Sequence, residues 1–253
     1  MLRFAANLTW LFQEWPFLDR FAAAADAGFT AVEYLFPYDH PPEDIARRLA
    51  RHNLKQVLFN LAPGDFAAGD RGIATFPDRR DEFRAAIARG LEYARATATP
   101  RLHLMAGVAS GPEALVCFRE SIKFACEAAA KQDIEILIEP INTYDIPGYL
   151  MSDFRLAERL IRELNLPNFW LQFDIYHRQV LHGDVVRGLE ALLPITRHMQ
   201  IAAAPFRREP TTGELDDRFI LRTVERLGYD GYIGCEYGPV NGTLAGLGWM
   251  KNL

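Results

Sequence analysis

Strand-like runs and longer helix-like stretches alternate eight times along this sequence, and that alternation restricts the fold more than any other feature. The runs are LRFAANL (2–8), FTAVEYLF (29–36), LKQVLFNL (54–61), RLHLMAG (101–107), IEILIEPIN (134–142), FWLQFDIY (169–176), HMQIAA (198–203) and YIGCEY (232–237). The stretches between them carry helix-end signals. Pro16 precedes FLDRFAAAADA and Gly28 follows it, while PPEDIARRLARHN places its acids first and its bases last, as a helix dipole favours. Ser152 stands where a cap for DFRLAERLIREL belongs, Asp184 opens DVVRGLEALL, and Asp216 or Asp217 opens a helix ending near Gly228. Helical patterns also cover 79–96 and 117–131, and LAGLGWM supplies a short last helix weakened by glycine. Strand followed by helix, repeated with no Pro/Gly/Ser-rich linker, predicts an α/β fold with one closed (β/α)8 TIM barrel over residues 1–253. An open doubly wound sheet would use fewer strands, and neither GxGxxG nor GxxxxGK[ST] follows the first run.

Charge narrows the function classes. With 28 Lys plus Arg against 33 Asp plus Glu, the net charge is -5, so a phosphate backbone gains no overall attraction and no nucleic-acid partner is expected. No run approaches the roughly 18 apolar residues of a membrane span, so no membrane association is expected either. Glu14, Asp19 and Arg20 interrupt the apolar start before a signal-peptide cleavage region, which points to a cytoplasmic protein. Cys117, Cys126 and Cys235 cannot all pair and form no CxxC, so they read as small buried hydrophobes in a reducing compartment.

In a TIM barrel the chemistry sits at the C-terminal ends of the strands, which makes the Gly/Pro-containing connections 62–78 and 203–215 candidate lids. Four polar residues fall at the ends of the last four runs: Glu139, Asp174, Gln200 and Glu236. Alternation puts Glu135, Leu137 and Glu139 on one face, Trp170, Gln172 and Asp174 on another, and aligns His198 with Gln200 and Gly234 with Glu236. If those faces line the barrel interior, three carboxylates converge and repel one another unless a cation compensates. Three anionic oxygens and one amide oxygen favour hard Mg2+ or Mn2+. An acid taken alone at a strand end is more often a solvated loop residue or a helix-cap acceptor than a ligand; the coincidence of four carries the metal reading. His177 could orient a ligand or bind a substrate oxygen, or be an ordinary loop histidine, and His103 is similar. Arg207 could hold a substrate carboxylate in a bidentate pair or be solvated surface charge. No HExxH and no nucleophile motif is present.

With these residues in place, the chain resembles the hydroxypyruvate isomerase family of the xylose-isomerase-like barrels. RFAANLTWLF, VEYLFPYD, FNLAPGDFAAGDRGIA, IEPIN, FDIYH, HMQIA and GCEY appear in the family's order along most of the chain. The resemblance implies that Glu139, Asp174, Gln200 and Glu236 bind a divalent metal. It further implies that Glu139 and Glu236 transfer the proton and that His177 faces the substrate. No organic cofactor is implied. The implied partner is a small hydroxy-oxo acid: hydroxypyruvate interconverting with tartronate semialdehyde, or 2-oxotetronate with its 3-oxo isomer. The chain departs from the family at the substrate end, with Ala203 where an Asp is usual, Phe206 near a usual His, and PTTGE for PGTGE. Phe59 and Tyr237-Gly238-Pro239 also lack the His and Lys of some relatives. Three alternatives stand beside this reading. Sugar epimerases of the superfamily generally carry His at the position of Gln200. A metal-dependent repair endonuclease would need more His ligands and a basic face. A non-catalytic small-acid-binding barrel is motivated by Ala203 and Phe206. Exposed helices could support a homo-oligomer, with no interface marked in the sequence.

Overall fold

The computed structural model describes residues 2–252; Met1 and Leu253, which the single-barrel expectation included, lie outside the described residues. Among these, the elements run β1 (Arg3–Asn7), α1 (Arg20–Asp26), β2 (Ala31–Tyr34), α2 (Pro42–Arg51), β3 (Lys55–Asn60) and α3 (Arg80–Thr97). They continue with β4 (Arg101–His103), α4 (Gly111–Ala130), β5 (Glu135–Ile138), α5 (Phe154–Leu164), β6 (Phe169–Asp174), α6 (Ile175–His182) and α7 (Val185–Leu192). The chain then forms β7 (Thr196–Ile201), α8 (Asp217–Arg226), β8 (Tyr232–Cys235) and α9 (Thr243–Gly246). The strands pair in sequence order, all parallel, and β8 closes onto β1, so the expected (β/α)8 barrel is present.

Two apolar layers hold it. Ile136 and Ile138 of β5 face outward and join the cluster that includes Phe118 and Ile122 of α4. Each fully buried side chain of this size contributes about 1.5–3 kcal/mol. Inside the barrel, Ala5, Ala31 and Val57 pack beneath Tyr232, near the N-terminal ends of the strands. Helix α2 follows its sequence pattern, burying Ile45 and Leu49 one turn apart with acids in the first turn and bases in the last. The three cysteines are free and buried. Among the described residues no helix is long and apolar enough to cross a membrane.

Two local readings need correction. Asp153 rather than Ser152 caps α5, its carboxylate accepting from the Arg155 backbone N–H at 2.8 Å. The run FWLQFDIY does not remain a strand to Tyr176: it ends at Asp174, where the side chain caps the unanticipated α6. Of the two candidate caps for α8, Asp216 serves, accepting from Phe219 N–H.

The 203–215 connection follows β7 and folds back on itself, Ala203 N–H donating to Arg208 O at 2.9 Å. At its turn, Arg207 has φ 52°, a left-handed conformation that a non-glycine residue adopts only where its surroundings hold it. The turn directs Arg207 back to the barrel.

Candidate active site

Strand register brings the chemistry to one height. Asp174 pairs laterally with Gln200, and Gln200 with Gly234, while Glu139 and Glu236 each lie one residue beyond the ends of β5 and β8. All four are buried.

Asp174 divides its two oxygens between tasks. Oδ1 accepts from the N–H groups of Tyr176 and His177, at 2.7 and 3.3 Å, and so starts α6. Oδ2 is buried without a hydrogen-bond partner, and so is Glu139 Oε1. Burial pushes the Asp174 carboxyl up to about 6, against the lowering effect of Arg207 and the two capped amides. Burial, then repulsion from Glu236 and Asp174, raises Glu139 well above the usual carboxylate range. Glu236 is pushed up to about 8, again by burial first, with Arg207 pulling the other way.

Arg207 is the cation these acids face. Its Nη2 donates to Glu236 Oε1 at 2.8 Å, its Nη1 to Asp145 Oδ2 at 2.9 Å, and Nη2 lies 3.8 Å from Asp174 Oδ2. The guanidinium also packs against Trp10 and Tyr176, 4.8 and 5.1 Å from their ring centres. Burial alone would lower its pKa, but Glu236, Asp174, Glu139 and Asp145 together raise it, so it stays charged. The structure thus places Arg207 at the site, with its donors engaged by protein acceptors. Trp10 was not anticipated: its Nε1–H donates to Glu236 Oε1 at 3.1 Å.

His177 sits between the acids, its Nε2 lying 3.7 Å from both Glu139 Oε1 and Asp174 Oδ2. Glu139, Asp174 and His177 present potential ligand atoms that all lie within 4.8 Å of one another. The hydrogen-bond network decides how the imidazole takes part. Asn142 Oδ1 accepts from the N–H groups of Tyr144 and Asp145, so its Nδ2 faces His177 Nδ1, 2.8 Å away; Asn142 N–H also points there. Two donors on Nδ1 leave the ring proton on Nε2, because burial holds this imidazole neutral. His177 therefore offers the acids an N–H, which suits a substrate oxygen better than a metal ion. His103 is also buried, its Nδ1 3.6 Å from Glu139 Oε2, and burial followed by His198 pushes its pKa down to about 3.

Below this layer lies a second one that sequence reading missed. Glu33 of β2 is fully buried and accepts from Asn7 Nδ2 at 2.9 Å and Gln200 Nε2 at 2.8 Å; its other oxygen is 2.6 Å from His198 Nε2. Gln200 Oε1 in turn accepts from Gln172 Nε2 at 2.6 Å. The Glu33 carboxylate fills the space where residue 234 would carry a Cβ, which would come within 2.2 Å of Glu33 Oε1. Gly234→Ala should therefore destabilise the protein by about 1–3 kcal/mol, because the carboxylate cannot yield without losing its donors. Thermal or urea unfolding of the variant would measure this, and a wild-type midpoint would contradict the packing described.

Buried carboxylate oxygens without partners suit a divalent cation. Glu139 Oε1 and Asp174 Oδ2 are two such atoms and Gln200 Oε1 keeps a second lone pair, while Glu236, its Oε1 engaged by Arg207 and Trp10, lies outside the close group that Glu139 and Asp174 form with His177. The buried carboxylates fit a divalent cation.

A family model described as xylose isomerase-like TIM barrel matches residues 21–253. The chain is 47% identical to a 2-oxo-tetronate isomerase of Cupriavidus necator, covering 99% of this chain and 98% of that protein. It is 41% identical to a hydroxypyruvate isomerase of Escherichia coli, again over 99% and 98%. A crystal structure titled AP endonuclease, family 2, from Brucella melitensis is 44% identical, with a TM-score of 0.97 over 99% of this chain and 98% of that one.

Proposed function

Since this chain belongs to the xylose isomerase-like TIM-barrel family and is an isomerase of its hydroxypyruvate isomerase group, we propose that it interconverts a three- or four-carbon 2-oxo acid with its 3-oxo isomer. Hydroxypyruvate and 2-oxotetronate are the two candidate substrates. The observation that carries this reading is the buried trio Glu139, Asp174 and Glu236, held under charge strain against Arg207.

The reaction removes a proton from the hydroxyl-bearing C3 and returns one to C2, while the hydroxyl proton passes from O3 to O2. Glu139, Asp174, Gln200 and Glu236 would hold a divalent metal, which when bound would polarise the two substrate oxygens and stabilise the ene-diolate charge. Glu139 and Glu236 are the proton carriers, one ionised as base and the other protonated as acid, exchanging roles with reaction direction. The His177 Nε2–H, its tautomer fixed by Asn142, donates to a substrate oxygen. Arg207 holds the substrate carboxylate, exchanging its contact with Asp145 or Glu236 for that anion. Trp10 and Tyr176 confine the guanidinium to that plane.

The test is proton exchange. Protein reconstituted with Mg2+ or Mn2+ and incubated in D2O should incorporate deuterium at C3 of hydroxypyruvate or 2-oxotetronate, followed by NMR, and the faster substrate identifies the specificity. Absence of exchange with both would reject the substrate class and favour the small-acid-binding alternative.

A further inference from the structure

Gln200 is the one proposed ligand whose two arms look alike in size and differ in chemistry, so something must decide which arm faces the cation. An amide presenting its NH2 to the metal would be useless as a ligand. We propose that Glu33 makes that choice, as a positioning residue that turns the Gln200 carbonyl oxygen toward the metal position. The proposal rests on the metal reading above.

Three nitrogens converge on the Glu33 carboxylate: Asn7 Nδ2, Gln200 Nε2 and His198 Nε2. The Asn7 orientation is itself fixed, because its Oδ1 accepts from Thr9 N–H at 3.1 Å, which leaves Nδ2 facing Glu33. A carboxylate is an acceptor at both oxygens, so the arm of Gln200 that meets it must be the NH2. On the opposite arm Gln172 Nε2 donates to Gln200 Oε1, an arrangement that follows once Glu33 has taken the NH2 and that leaves the oxygen one lone pair. Glu33 reaches the barrel axis because β8 carries glycine at 234. The carboxylate and the missing Cβ form one device, built from β2 and β8, acting on a ligand of β7.

Glu33→Gln tests the device with a side chain of the same shape that can present an NH2. Gln200 would then be free to turn, and the Mn2+ dissociation constant should rise roughly 10–100-fold, the usual cost of losing a residue that orients a metal ligand. Titration by electron paramagnetic resonance and calorimetry reads this without any turnover, and circular dichroism checks the fold. The double variant E33Q/Q200E should recover much of the affinity, because the new amide at 33 can donate to the new carboxylate at 200. If E33Q does not fold, G234A carries the same expectation, since it displaces an unchanged Glu33 from its donors. A folded E33Q that binds Mn2+ as tightly as wild type would overturn the inference while sparing the metal reading. Wild-type protein that binds no Mn2+ would overturn both.

Discussion

Replacing either Glu139 or Glu236 by Gln is expected to cut turnover by about 10²- to 10⁴-fold while the barrel remains folded. Glutamine keeps the volume and an oxygen, so the contacts Glu236 Oε1 makes with Arg207 and Trp10 survive the exchange. It cannot carry a proton between carbons. Because both glutamates are also proposed ligands, each variant should be assayed at saturating metal, which separates lost affinity from lost proton transfer. The informative signature is in deuterium exchange. If the two act from opposite sides of the substrate, either variant should suppress exchange at the carbon its residue serves more than at the other. Rates within a few-fold of wild type in both variants would end the two-glutamate mechanism.

The second large effect is metal removal. Stripping with chelator should reduce activity to background, and adding Mg2+ or Mn2+ should restore it; full activity after complete removal would refute metal dependence. The pH dependence gives an independent reading with a definite sign. Glu236 is raised from 4.5 to about 8 and Asp174 from 3.8 to about 6, so the folded metal-free protein retains protons that the unfolded chain has released. Stability of the metal-free form should therefore fall as pH rises through that range. His103 and His177 work in the opposite sense, since both are held neutral and their stabilisation is lost as pH falls below 6.5. The useful window is pH 6.5 to about 8, where the histidine contribution fades as the unfolded imidazoles lose their protons and Glu236 still titrates. There the metal-free melting temperature should decline with rising pH. Metal affinity should increase over the same interval, because the cation must displace those protons. Melts with and without Mn2+ should thus diverge from pH 6.5 to 8, and parallel curves would argue against ligation by the raised carboxyls.

Much of this was legible from sequence because it depended on local periodicity. Alternation in IEILIEP and LQFDIYH places Glu139 and Asp174 on inward faces, and the barrel then brings Gln200 and Glu236 beside them. Helix α6 was hidden because FDIYH continues the apolar alternation of the strand, and the signal that ends it is the Asp174 side chain itself. Glu33 was hidden for a different reason. Within AVEY it is a single acid among apolar residues, and its depth depends on a glycine two hundred residues away in sequence and one strand removed around the barrel. Trp10 was likewise unmarked, since nothing in TWLF records that the loop after β1 meets the residue following β8. Pairings of this kind become visible only when the barrel closes.

The junction at Asp174 also sets how this barrel can tolerate change in length. The exposed 65–69 stretch of the 62–78 connection can gain or lose residues without altering what the strands present. Between β6 and α6 there is no loop at all: one carboxylate ends the strand, begins the helix and aims its remaining oxygen at the acids. His177 follows three positions later, so a single inserted residue would rotate it by about 100° around the helix axis and carry its Nε2–H out of the cluster. The splice between strand six and helix six is therefore of fixed length, and insertions there should abolish function in a protein that accepts them elsewhere on the same rim.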